Sequence, residues 1–98
     1  MPRKFFVGGN WKCNLVKAEA EALIDALSAA KLPENVEVLV APTFVYLETV
    51  NNKAKNGIHV SAQNCYIKAG AFTGEVNINQ LKDLSMLLMP LLSFLSLL

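Results

Sequence analysis

Phe5-Phe6-Val7-Gly8-Gly9-Asn10-Trp11-Lys12-Cys13-Asn14 decides the fold class. Three apolar residues run into two glycines, then into an amide and an ammonium two positions apart. The apolar run reads as a short buried strand, and the glycines permit close backbone approach and unusual dihedrals at its exit. In parallel α/β proteins the chemistry sits at the carboxyl ends of strands, which is where Asn10 and Lys12 fall. Two residues apart in an extended segment, they would share a face. Lys12 there could neutralise a phosphate or a developing oxyanion. Spacing alone leaves open a solvated lysine in a Gly-Gly turn.

Outward from this stretch the pattern alternates strand and helix. Residues 4–10 form the first strand. An apolar stripe through Val16, Ala20, Leu23, Ile24 and Leu27, opposed by Lys17, Glu21, Asp25 and Ser28, predicts an amphipathic helix over 17–31. Leu32-Pro33-Glu34-Asn35 stops it. Residues 36–41 are a β-branched run expected to be covered on both faces. A second helix follows near 44–55, with Thr43 as N-cap, Leu47, Val50 and Ala54 as its inner face, and Gly57 as C-cap. Residues 58–63 read as a third strand and 64–76 as a long loop, functional or floppy. Asn77-Ile78-Asn79-Gln80 resembles a capping box, with helix over 81–84. The order βαβαβα with short connections predicts parallel strands in the order 1-2-3.

Composition narrows the class. With 53% hydrophobic residues in 98, the chain is too apolar for disorder, and its net charge of +1, with no basic face, argues against nucleic acid. Cys13 and Cys65 lie far apart with no histidine nearby, which points to reduced thiols rather than zinc or a disulfide framework. Three apolar residues after Met1-Pro2-Arg3-Lys4 are too few for a signal peptide. The nine basic and eight acidic residues all lie at or before Asp83, as do the five glycines. After it comes a Leu/Ser/Met run, so a boundary is expected at Leu84/Ser85, with residues 1–84 as one unit and 85–98 as an apolar tail. The stretch from Leu84 to the end is fifteen residues interrupted by Pro90, short of the roughly 20 that span a bilayer. A membrane partner is therefore not expected.

Three motifs, Phe6-Val7-Gly8-Gly9-Asn10-Trp11-Lys12, Ala62-Gln63-Asn64-Cys65-Tyr66 and Gly70-Ala71-Phe72-Thr73-Gly74-Glu75, with Leu81-Lys82-Asp83 after the last, stand in an order and spacing that resemble the triosephosphate isomerase family over residues 4–84. The resemblance implies the amino-terminal segment of a TIM (β/α)8 barrel, three parallel strands with flanking helices. A whole barrel takes about 250 residues. It implies a cytoplasmic homodimer that interconverts dihydroxyacetone phosphate and glyceraldehyde 3-phosphate in glycolysis and gluconeogenesis, without metal or cofactor. That chemistry, a much-used example of tuned acid–base catalysis, employs a glutamate base, a neutral histidine and a closing loop. Lys12 matches the catalytic lysine that stabilises substrate negative charge, and Asn10 the asparagine that helps bind the phosphorylated triose. Phe72, Thr73 and Glu75 match the loop that crosses to a partner subunit, and Cys13 the position whose surroundings receive that loop.

The resemblance has departures. The loop before Gly70 is about a residue short. Beyond Leu84 the family continues with glycine, a β-branched strand and Gly-His-Ser-Glu-Arg, whose histidine would fall on Ser93. The family's catalytic glutamate, lid and later phosphate loop have no counterpart here. The histidine present, His59, sits at the start of the third strand, away from the chemistry. Two readings follow: an incomplete isomerase polypeptide, inactive alone, or a non-catalytic fragment that associates with itself or with full-length subunits.

Overall fold

The computed structural model describes residues 5–86. The expectations for Lys4 as a strand residue and for the tail from 87 onward lie outside the described residues. Six elements follow the expected alternation: β1 (Phe5–Asn10), α1 (Lys17–Ala29), β2 (Val36–Ala41), α2 (Leu47–Lys53), β3 (His59–Val60) and α3 (Ile78–Asp83). The strands form one parallel sheet in the order β1-β2-β3. Phe5 pairs with Val36 and Asn10 with Ala41, while Leu39 pairs with His59. The strand exits therefore lie together at one end.

Alternation along β2 divides the sheet into two faces. Val38 and Val40 turn toward the helices and Leu39 and Ala41 turn away. On the helix side Val40 and Val60 meet Ile24 of α1, Val50 of α2 and Leu81 of α3, all nearly or fully buried. Each helix thus places an apolar stripe on one sheet face, the two-layer arrangement such stripes demand. The inner face expected of the second helix is present, with Leu47 and Val50 buried and Ala54 packed against the core.

β1 is not the buried strand its composition suggests. Phe5 is 70% exposed and Val7 55% exposed. No β1 residue belongs to either buried cluster, because the helices cover the β2–β3 part of the sheet and β1 lies beyond them.

The helix ends carry specific reasons. Val16 has no side-chain oxygen, so the start of α1 relies on Glu19, whose carboxylate accepts the Val16 N–H at 3.1 Å, the return half of a capping box. α1 ends at Ala29, two residues before the expected Lys31, because Ala30 is extended and its carbonyl accepts from Asn56 Nδ2 at 3.0 Å. Ser28, expected on the solvent face, instead accepts the Lys55 N–H at 3.0 Å. The second helix opens as a 3-10 turn over Phe44–Tyr46, and Thr43 makes no side-chain cap bond. Gly57 does not cap α2: Ala54 does, in extended conformation, while Asn56 and Gly57 take the positive φ values that turn the chain into β3.

β3 is shorter than the expected 58–63. Its ladder ends once the Ser61 N–H has bonded the Val40 carbonyl, because the next residue of that strand is Pro42, which has no N–H to return to the Ser61 carbonyl. The following loop is held: the Tyr66 N–H bonds the Val76 carbonyl at 2.7 Å and the Ile78 N–H bonds the Tyr66 carbonyl at 3.0 Å. α3 starts at Ile78, earlier than expected, with Asn77 Oδ1 accepting the Asn79 N–H at 2.8 Å.

α3 closes in a Schellman motif. The Met86 N–H bonds the Leu81 carbonyl, the Ser85 N–H bonds the Lys82 carbonyl, and Leu81 and Met86 are both buried. Ser85 occupies the left-handed position at φ 57, which costs a non-glycine residue about 1–2 kcal/mol. Ser85→Gly is therefore expected to stabilise the fold by about 0.5–1 kcal/mol after its own unfolded-state entropy is subtracted, measured as a shift in urea midpoint at unchanged slope.

An exposed apolar edge strand templates pairing with another chain. Val7→Lys is expected to reduce concentration-dependent association in sedimentation while leaving the far-ultraviolet spectrum unchanged.

Candidate functional site

Three strands deliver backbone to one place. β1 ends at Asn10, β2 at Ala41, and Gln63 follows the end of β3. The Trp11 N–H extends the ladder by one bond to the Ala41 carbonyl at 3.0 Å. The chain then turns at Lys12, whose φ of 57 lies in the left-handed region. Asn10 Oδ1 accepts the Lys12 N–H at 2.8 Å, an Asx-type turn. Asn14 Nδ2 donates to the Trp11 carbonyl at 3.0 Å. From just past the third strand, Gln63 Nε2 donates to the carbonyls of Lys12 and Ala41, both at 2.8 Å.

The expected site pair is thus brought together at the carboxyl end of the sheet, Asn10 half-buried and Lys12 exposed. The reason differs from the expectation. Lys12 is not in extended backbone, so strand alternation does not apply, and its proximity to Asn10 comes from the turn. Asn10 Nδ2 is buried and has no acceptor among the described residues. An unmet buried donor carries a desolvation cost.

Phe72, Thr73 and Glu75 project from the 64–76 loop, each exposed. The Tyr66 and Phe72 rings meet at a tilt of 46° with centroids 4.6 Å apart, the Glu75 N–H bonds the Phe72 carbonyl, and Glu75 Oε2 accepts from Asn64 at 3.3 Å. Cys13 is also exposed, on the turn after Lys12.

His59 lies toward the other end of the sheet. It is 3.8 Å from the Glu37 carboxylate, on the wall of a cavity of about 390 Å³ shared with Leu32, Val38 and Asn56. Both side chains of this pair are substantially exposed, so its worth is small.

The triosephosphate isomerase family model matches residues 5–89. This chain belongs to the triosephosphate isomerase family. It is 50% identical over 82 residues to the "Triosephosphate isomerase, chloroplastic" of Fragaria ananassa, a match covering 83% of this chain and 26% of that protein. It is 51% identical over 82 residues to the protein of the same name from Secale cereale, covering 83% and 28%. It is 49% identical over 86 residues to "Triosephosphate isomerase" of Debaryomyces hansenii, covering 86% and 35%. The chain therefore spans between about a quarter and a third of the relatives it matches. An open sheet of three parallel strands is what the opening segment of the family's barrel provides.

Gln63 is a site residue to which the motif Ala62-Gln63-Asn64-Cys65-Tyr66 assigns no role. Its signal was positional: a polar side chain just past a third parallel strand, where strand exits converge.

The Asn10 turn has a direct test. Asn10→Ala removes the acceptor of the Lys12 N–H and is expected to cost about 1 kcal/mol. Hydrogen exchange at the Lys12 amide should accelerate while the Val40 and Val60 amides keep their protection.

Proposed function

We propose that the Asn10–Lys12 turn is the charge-binding part of a triose-phosphate isomerase site, which would bind the phosphorylated triose through the Lys12 ammonium and the Asn10 amide. One observation carries the reading: the exits of three parallel strands meet at a lysine held in left-handed conformation beside a buried, unmet amide donor. An ammonium fixed in place stabilises developing negative charge without reorganising when it forms, the requirement of an enediolate reaction between dihydroxyacetone phosphate and glyceraldehyde 3-phosphate.

The proton-transfer half of such a reaction needs a base at carbon and an electrophile at the carbonyl. General acid–base help is worth about 10²–10⁴-fold. His59 lies toward the amino end, Glu37 pairs with it, and Glu75 lies on the outer loop. We therefore propose that these 98 residues alone bind anionic substrate weakly and do not turn it over. The further parts of this reading are a homodimer built through Phe72, Thr73, Glu75 and the surroundings of Cys13, a division of the chain at Leu84/Ser85, and a cytoplasmic location in keeping with two free thiols. Among the described residues no helix is long and apolar enough to cross a membrane.

A second reading, a fragment that associates without catalysing, is favoured by one observation, the exposure of Phe5 and Val7 on an edge strand.

A coupled assay with glyceraldehyde 3-phosphate on the purified chain is expected to show no rate above that of Lys12→Ala. Titration with inorganic phosphate should shift the Asn10 and Lys12 amide resonances, weakly and less at high salt, and Lys12→Ala should abolish the shift. Turnover that Lys12→Ala removes would overturn the inactive reading; phosphate shifts confined to other residues would overturn the charge-binding one.

A further inference from the structure

We infer that Gln63 is a positioning residue that holds Lys12 in its left-handed conformation and so aims its side chain. The inference rests on the charge-binding role just proposed for Lys12 and adds the group that enforces it. A side chain leaves Cα in a direction set by the two peptide planes flanking that carbon. At Lys12 both planes are pinned by side chains. The plane before it is held through the Lys12 N–H by Asn10 Oδ1 at 2.8 Å. The plane after it is held through the Lys12 carbonyl by Gln63 Nε2 at 2.8 Å.

The second bond would be a loose tether if Gln63 were itself mobile. It is not, because the same amide nitrogen donates to the Ala41 carbonyl at 2.8 Å. A primary amide has two N–H donors, and here one goes to the strand β2 exit and the other to the turn. Ala41 is fully buried and its carbonyl also receives the Trp11 N–H, so the reference point is rigid. Left-handed backbone at a residue with a long side chain is uncommon and persists only where its surroundings over-determine it. Among the hydrogen bonds described for this turn, the Gln63 amide comes from the segment just past β3, which makes it the link between the third strand's exit and the lysine.

The test is made on the 98-residue chain with Gln63→Met, which keeps length and bulk and removes both donors. The readout is the intraresidue Hα–HN nuclear Overhauser effect of Lys12, strong for positive φ, alongside the phosphate-induced shift of its amide. The expected result is loss of the strong Lys12 effect and of the phosphate shift, with the Val40 and Val60 resonances unmoved. A folded Gln63→Met chain that keeps the strong Lys12 effect overturns the inference. Failure of the unsubstituted chain to respond to phosphate would count against the charge-binding role and leave the backbone readout to decide the clamp. If Gln63→Met does not fold, Lys12→Gly is added, since glycine takes this backbone unaided. Recovery of the folded spectrum supports the clamp, and failure to recover shows that Gln63 serves the fold generally and overturns it.

Discussion

The carbonyl of Ala41 is the junction on which the candidate site depends. It ends β2 and accepts from two sides, from the Trp11 N–H at 3.0 Å and the Gln63 amide at 2.8 Å. Through these two bonds the exits of β1 and β3 are referred to the central strand. Pro42 follows directly and is fully buried, so the chain leaves the sheet at this point without offering another N–H. The same junction limits the third strand. Pro42 has no N–H for the Ser61 carbonyl, so the main-chain pairing of β3 stops there and the Gln63 side chain makes the next link to the central strand.

The two ends of the sheet differ in how they are held. The carboxyl end is a polar net of short hydrogen bonds around Lys12. The middle is held by apolar burial of Val40 and Val60 against Ile24, Val50 and Leu81, which is non-directional and tolerates small shifts. A site needs the first kind of restraint, because hydrogen bonds fix angles and packing alone does not. β1 joins the two regimes: its backbone is locked to β2 over six residue pairs, yet Phe5 and Val7 stay largely in solvent.

The 64–76 loop is ordered from its base. The parallel bridge between Tyr66 and Asn77 closes it, and the Tyr66–Phe72 ring contact ties its outer part to that base. That leaves Ile67, Thr73 and Glu75 outward.

Strand β1, strand β2 and the parallel 1-2-3 order were legible in the sequence, because β-branched runs, a helical stripe and short connections admit few topologies. So was the placement of Asn10 and Lys12 at one strand exit, though the expected extended backbone is a turn at Lys12. The start of α1 at Lys17 was legible and its end was not: the Ala30 carbonyl accepts from Asn56, 26 residues away, and no local pattern reports so distant a partner. Nor was the exposure of Phe5 and Val7, since an apolar strand is buried only if some element covers it. The left-handed turn at Lys12 is the clearest case. Local propensity disfavours it; the Asn10 bond is local, but the bond from Gln63 to the Lys12 carbonyl exists in the tertiary fold alone, 51 residues along the chain.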